Sequence, residues 1–486
     1  MKTPAWRILA RGFAWFAVAT NLLPFRLFHQ PRMSLCVLAA CLCGTSITPA
    51  NTLDWNTRED RVSANIDSEV LHLTLKKVAA QTDWRIYLEP GTTAKVSAKF
   101  ANLAPGEALQ LLLGDLNYAL VPDPAGKPRL FVFRTTRQAA TELISSEARI
   151  DGMDKAGKVI PRELIVRLKP GAKIEEWARL LGAKITGRID GLNAYRLEFE
   201  DEQSADLARK QLEASSDVES VENNYSIDRP ADSMAATGPN LPPPVRLTLN
   251  PPPENGQIIV GLIDTQVQSL GPELDKFLLK SLQVAGMGGA DSGMSHGTSM
   301  AGTILRSLQE ATGGSTSVQI LPVDVYGANP NTSTFAVAQG IVAAANGGAR
   351  IINLSLGSAG DDGLLRSVIQ QAYEKNIPIF AAAGNEPVTT PVYPAAYPEV
   401  QAVTAVENGQ LASYASRGTF VSLGVPGTSI VYYQDRPYQI VGTSAASAAA
   451  AGVAAGYMDA TRSTAAQMEA FMRNRFGVKI TTGGSK

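Results

Sequence analysis

From Ile258 onward, strand-length runs that are apolar on both faces alternate with helical sequence. The runs are Ile258 to Ile263, Val318 to Val325, Ala349 to Leu356, Ile377 to Ala383 and Val400 to Val406. A strand without polar alternation buries both faces, which is the condition of a parallel sheet covered by helices on each side. Phe335 to Ala345 supplies one such helix. The alternation predicts an α/β domain with a doubly wound parallel sheet over residues 254–486. Functional groups of such sheets gather at the carboxyl ends of the strands. Asp264 ends the first run, and Asn385 ends Ala381-Ala382-Ala383-Gly384-Asn385. His296 opens a helical run in Ser295-His296-Gly297-Thr298, and Ser444 heads the last helix in Gly442-Thr443-Ser444-Ala445-Ala446. A serine at a helix N-terminus has free backbone N–H groups beside it, suited to developing negative charge. Taken alone, the same stretch is equally a small-residue packing face whose serine is a cap.

The remainder of the chain is too long for one core. Two small α+β domains are predicted ahead of the sheet, over residues 60–135 and 160–228. In the first, Leu71, Leu75 and Val78 share a helix face, and Pro105 opens a second helix with Ala108, Leu111 and Leu112 inward. In the second, the order is βαββαβ, with Ile174, Trp177, Leu180 and Leu181 on one helix face and a last strand from Val218 to Tyr225. Polar sequence from Thr135 to Lys158 reads as a linker. The seven prolines between Pro239 and Pro253 make residues 229–253 an extended, exposed connection. A net charge of −1 gives no footprint for nucleic acid.

Residues 1–50 carry the order of an export signal: Lys2, Arg7 and Arg11, then apolar sequence, then Arg26 and Arg32, a second apolar run, and Thr48-Pro49-Ala50. The protein is therefore expected to be secreted or periplasmic. Leu38-Ala39-Ala40-Cys41 resembles a bacterial lipobox, which makes a lipid anchor on Cys41 the alternative export product. The three cysteines, Cys36, Cys41 and Cys43, all lie in this segment. A chain cut after Ala50 has no disulfide and no cysteine metal site.

Several motifs in register resemble the subtilase family over roughly Gln257 to Met458. They are Ile263-Asp264-Thr265, His296-Gly297-Thr298, Gly442-Thr443-Ser444, Asn353-Leu354-Ser355-Leu356-Gly357 and Gly384-Asn385. The chain order Asp, His, Ser is that of subtilisin, in contrast to chymotrypsin and the α/β-hydrolases. Composition adds an independent constraint: of three histidines, only His296 lies in the α/β region. The resemblance implies a serine endopeptidase with Ser444 as nucleophile, His296 as base, Asp264 as its orienting carboxylate and Asn385 in the oxyanion hole. Leu354, Ser355, Leu356 and Gly357 would then pair with the substrate backbone, and Ala383 and Gly384 would wall an uncharged P1 pocket. Residues 160–228 are similar to the inhibitory propeptide of such proteases. Residues 60–135 resemble the short N-terminal domain of secretins and TonB-dependent receptors, which implies an envelope protein as partner. The other expected partners are protein or peptide substrates and the chain's own propeptide domain.

The sequence departs from the family pattern at Gln266, where glycine is usual, at Ser299 and Met300, and at Ala445, Ala448 and Ala449 after the serine. Those changes bear on turn geometry and efficiency, and they favour the alternative function, a catalytically silent envelope binding protein that keeps the protease fold. No cofactor is expected; no acidic cluster reads as a calcium loop, and calcium dependence stays open.

Overall fold

The computed structural model describes residues 51–122, 127–144, 157–230, 234–235, 241–253, 256–286 and 293–478. The expected signal segment, with its cysteines, lies outside the described residues.

The first elements are β1 (Thr52–Asn56), β2 (Arg61–Val70), α1 (Leu71–Thr82), β3 (Arg85–Leu88), β4 (Lys95–Leu103), α2 (Pro105–Leu113), β5 (Asn117–Val121), β6 (Arg129–Phe133) and β7 (Glu142–Ile144). They form two sheets, β1-β2-β4 and β5-β6-β3-β7, sandwiching a shared apolar core. Leu71, Leu75 and Val78 are buried on α1, as their i, i+4, i+7 spacing requires. On α2 the inward stripe is Ala108, Leu109, Leu112 and Leu113, while Leu111 is exposed. Leu111 falls at the outer edge of that stripe, so the inward assignment of Leu111 is corrected. β7 lies inside the stretch read as linker, because Leu143 and Ile144 pair with β3.

Next come β8 (Val159–Leu168), α3 (Ile174–Leu181), β9 (Lys184–Ile189), β10 (Ala194–Glu198), α4 (Glu202–Glu213) and β11 (Val218–Asp228), with sheet order β11-β8-β10-β9. Ile174 and Ala178 anchor α3, whereas Leu180 is 70% exposed, contrary to the sequence expectation. β11 continues past Tyr225 because its end finds a further partner, the strand Asn331–Ser333 of the following domain.

The third group is β12 (Met234–Ala235), β13 (Thr248–Leu249), β14 (Ile259–Asp264), β15 (Leu282–Gln283), α5 (His296–Thr312), β16 (Ser315–Thr316), β17 (Gln319–Asp324), β18 (Asn331–Ser333), α6 (Thr334–Asn346), β19 (Ile351–Leu354), α7 (Gly363–Glu374), β20 (Ile379–Ala382), β21 (Val400–Glu407), β22 (Gln410–Leu411), β23 (Leu423–Pro426), β24 (Thr428–Tyr433), β25 (Arg436–Val441), α8 (Thr443–Thr461) and α9 (Ala465–Phe476). Strand order is β15-β17-β14-β19-β20-β21-β22, with β23 also on β21. Pairing is parallel except at β22. One face packs on α5, α8 and α9, the other on α6 and α7, so the sheet is doubly wound. Along β14, Val260 and Leu262 enter the first core and Ile263 the second, which is why this strand lacks polar alternation.

Helix α8 lies against α5 so closely that a Cβ on Gly452 would meet the Ile304 carbonyl oxygen at 2.7 Å. Its Ala-rich sequence is what permits this separation. Two expectations are corrected here. Ser444 heads the penultimate helix, since α9 follows, opened by a capping box between Thr464 and Gln467. The proline-rich connection is also tied down: Met234–Ala235 pairs with β25, Thr248–Leu249 with β16, and the carbonyls of Pro242 and Pro243 accept from Tyr432 and Arg306. Proline cannot donate to a ladder, but its carbonyl accepts as well as any other.

Candidate active site

Asp264 ends β14, while His296 and Ser444 begin α5 and α8, two helices that pack side by side, with Gly452 of α8 on Ile304 of α5 and Gly456 on Leu308. Asp264 is the last residue of β14 and fully buried. His296 is the first residue of α5, whose N-cap Ser295 accepts from the Thr298 N–H at 3.1 Å. The His296 Nδ1 lies 2.8 Å and 3.0 Å from the two Asp264 oxygens. Facing a carboxylate, Nδ1 acts as donor, which leaves Nε2 as the atom able to accept a proton.

The turn after Asp264 is held from both sides. Thr265 N–H donates to Asp264 Oδ1 at 2.7 Å, and Thr265 Oγ1 accepts from Gly297 N–H at 2.8 Å. A Cβ on Gly297 would meet the Thr265 carbonyl oxygen at 2.2 Å, so α5 can start this close to β14 only with glycine after the histidine. Gln266 takes part through its carbonyl, which accepts from Ser295 Oγ at 2.6 Å. The Asp–His contact therefore stands with glutamine at this position.

Ser444 is the second residue of α8 and partly exposed. Its Oγ donates to the Ser355 carbonyl at 3.2 Å, and the Ser444 carbonyl accepts from Ser355 Oγ at 3.1 Å. Behind this exchange, Asn353 Nδ2 donates to Ser355 Oγ and Asn353 Oδ1 accepts from Ser447 Oγ. This buried polar chain fixes the end of β19 to the head of α8. Leu354, Ser355 and Leu356 are buried, and Gly357 approaches the Tyr393 carbonyl so closely that a Cβ would lie 2.9 Å from it.

Asn385 lies beyond the end of β20, not on it: the strand stops at Ala382, and Gly384 turns the chain at φ +110°. The Asn385 Oδ1 accepts from Thr443 N–H at 2.8 Å and Thr443 Oγ1 at 3.0 Å, while Gly384 N–H donates to the same hydroxyl at 3.1 Å. With its oxygen held, the amide keeps its Nδ2 donors free for another acceptor, and the residue is exposed. Gly442, at φ +149°, passes so near that a Cβ would sit 3.1 Å from Nδ2. Ala383 is buried and its N–H bonds Val403.

Sequence reasoning missed Thr443 as the residue that aims Asn385, although it adjoins the serine. It also missed Glu222 and Asn224 on β11. Glu222 accepts from the Leu364 N–H at the start of α7, and Asn224 from the Phe335 N–H at the start of α6. Each supplies an acceptor to a helix N-terminus of the sheet domain. Polar residues on a strand carry no periodic signal for such a role. A third omission is Glu386, next to Asn385, whose carboxylate accepts from Arg85 and from the Tyr87 hydroxyl on β3. Burial, and then the Glu386 charge, push the Tyr87 hydroxyl well above its ordinary pKa.

Residues 255–481 match the model of the subtilase family, and residues 147–224 match that of the fervidolysin N-terminal prodomain. Thermitase from Thermoactinomyces vulgaris is 32% identical over 222 residues, covering 44% of this chain and 79% of thermitase. A thermostable alkaline protease from Halalkalibacterium halodurans is 38% identical over 165 residues, 33% of this chain and 46% of that protein. A thermophilic serine proteinase from Bacillus sp. (strain AK1) is 34% identical over 203 residues, 40% of this chain and 51% of that protein. The chain thus spans about half the length of these last two relatives. Among solved structures, fervidolysin from Fervidobacterium pennivorans superposes with a TM-score of 0.53 at 19% identity, over 66% of this chain and 58% of fervidolysin, a likeness of fold.

Proposed function

Because this chain belongs to the subtilase family of serine proteases, we propose that it hydrolyses peptide bonds with Ser444 as nucleophile, His296 as general base and Asp264 as its orienting carboxylate. The observation that carries the proposal is the Nδ1 contact of His296 with both oxygens of a fully buried Asp264. It fixes the ring so that Nε2 is the proton acceptor. A serine hydroxyl is a weak nucleophile at neutral pH, so its proton must pass to Nε2 as Oγ attacks the carbonyl carbon. For this, Ser444 Oγ rotates from the Ser355 carbonyl towards His296. The oxyanion is taken by Asn385 Nδ2 and the Ser444 N–H at the head of α8. His296 then returns its proton to the leaving amine, and water repeats the sequence on the acyl-enzyme. Leu354 to Gly357 binds the substrate backbone as an added strand, and Ala383 with Gly384 lines the P1 side.

The chain also processes itself in this proposal. β11 pairs with β18 up to Asp228, and Met234–Ala235 pairs with β25, which runs directly into Gly442-Thr443-Ser444. Such attachments on either side favour a scissile bond between Arg229 and Met234. The end of β11 pairs with the Asn331–Ser333 strand and not with the Leu354 to Gly357 segment. Export follows the secretory pattern of residues 1–50, and the order of elements between Thr52 and Ile144 supports an envelope-partner module. Among the described residues no helix is long and apolar enough to cross a membrane.

The test is hydrolysis of a peptide anilide by the wild type, Ser444→Ala, His296→Ala and Asp264→Asn. Activity should vanish in Ser444→Ala and His296→Ala and fall by about 10⁴-fold in Asp264→Asn, the scale of a triad aspartate. A wild type without turnover would support the silent binding protein instead, and variants that retain turnover would remove these residues from the mechanism.

A further inference from the structure

The N-terminal unit docks on the segment that follows the oxyanion asparagine. On β3, Arg85 and the Tyr87 hydroxyl each donate to a separate oxygen of Glu386. Tyr87, Phe131, Ala140 and Val388 form one buried apolar cluster, with Tyr87 stacked on Phe131 at 5.0 Å. Arg417, buried at 6% exposure, spends its guanidinium on backbone carbonyls of Ala412, Ser413 and Ala415, and on that of Gln138 from the N-terminal unit. Removing the unit would expose Val388, open the Glu386 carboxylate and take an acceptor from a buried cation. Each of these carries a desolvation or packing cost, so the interface has the character of a permanent one.

The dock does not cover the chemistry: Asn385 remains exposed and Ser444 partly so. What it does is fix the next residue. The Glu386 carbonyl accepts from Ser416 Oγ at 2.8 Å and from Val388 N–H at 2.7 Å, and its side chain is held only from β3 among the described residues. Asn385 is therefore tethered on one side by Thr443 and on the other by Glu386, whose carboxylate is held by Arg85 and Tyr87 of β3.

We propose that Arg85 and Tyr87 are positioning residues for the oxyanion hole, so that the N-terminal unit works in cis as part of the protease site. The proposal rests on the protease reading given above. A donor displaced by a fraction of an ångström loses most of its preference for the oxyanion over the ground-state carbonyl. The effect therefore belongs in kcat.

The experiment uses the full chain: wild type, Tyr87→Phe, Glu386→Gln, the double variant, and Arg85→Gln as a half-exposed site that leaves the apolar cluster intact. Hydrolysis by the wild type and its loss in Ser444→Ala establish the protease reading first. The expected result is a kcat lowered between about 5-fold and about 100-fold in each single variant, the range that sub-ångström to 1 Å misplacement produces. KM should stay within about twofold, the double variant should be no worse than the weaker single one, and Arg85→Lys should recover part of the loss. Unchanged kcat in the three single variants, losses that multiply in the double variant, or a raised kcat, which would mark the dock as a brake, overturn the proposal.

Discussion

At the scale of single residues, Asn385 is the member of the site with the clearest kinetic signature. Its oxygen is held by Thr443, so its donors are aimed before substrate arrives. In the proposed mechanism the charge they meet exists only in the transition state. Asn385→Ala should therefore lower kcat with little change in KM. The loss expected is about 10²–10³-fold, a figure carried over from the corresponding asparagine of subtilisin and not obtained from this geometry. Steady-state kinetics on a short peptide checks it; an unchanged kcat removes Asn385 from the mechanism. A second residue reports on pH. Burial raises the Asp362 carboxyl to about 6, against the hydrogen bonds from Thr334 Oγ1 and the Leu365 N–H, and with Glu222 adding to the rise. Tyr397 and Asp361 complete its charged and titratable surroundings. The folded value lies above the ordinary 3.8, so the native state holds the extra proton. That stability is fully present below about pH 4 and is lost as pH rises through about 6, a change on the order of 3 kcal/mol. Urea unfolding across this window should show Asp362→Asn losing less stability than the wild type; parallel curves would contradict the account.

At the scale of elements, the site depends on two helix starts, α5 and α8, brought together by small residues along their length. Gly452→Ala places a Cβ 2.7 Å from the Ile304 carbonyl oxygen and 2.8 Å from Ser307 Cβ. It should destabilise by about 1–3 kcal/mol, as overpacking does, although alanine is the better helix former. Equilibrium denaturation decides, and an equal or higher midpoint would show that the helices can separate freely. Much of this arrangement was legible in the sequence, because wholly apolar runs such as Ile259 to Ile263 admit few environments other than a two-sided sheet. Asp264, His296 and Ser444 were legible for a related reason: each marks the point where such a run or a helix ends or begins. Amphipathic detail was less legible where a stripe is wide. Leu111 and Leu180 fit an apolar face by spacing, yet both are exposed, since burial depends on what packs opposite. Glu386, Asn224 and Glu222 were invisible because their partners lie far away in sequence, on other domains.

At the scale of the whole molecule, the three parts of the chain converge on one edge of the sheet. β11 caps α6 and α7 and extends into pairing with β18, while β3 holds Glu386 beside Asn385. If the chain cuts itself, the wild type should appear as two fragments that remain associated, with the new N-terminus between Pro230 and Met234. Ser444→Ala and His296→Ala should accumulate intact between Tyr225 and Glu254. Intact-mass spectrometry distinguishes this from cleavage by other proteases, which would nick Ser444→Ala equally. The most direct measurement of the central claim is covalent capture of the nucleophile. Full-length protein is treated with a fluorophosphonate, digested, and the modified residue mapped by mass spectrometry. The account predicts one adduct, on Ser444 in the wild type, and its loss in His296→Ala. An unmodified Ser444, or an adduct that forms as readily without His296, would contradict it.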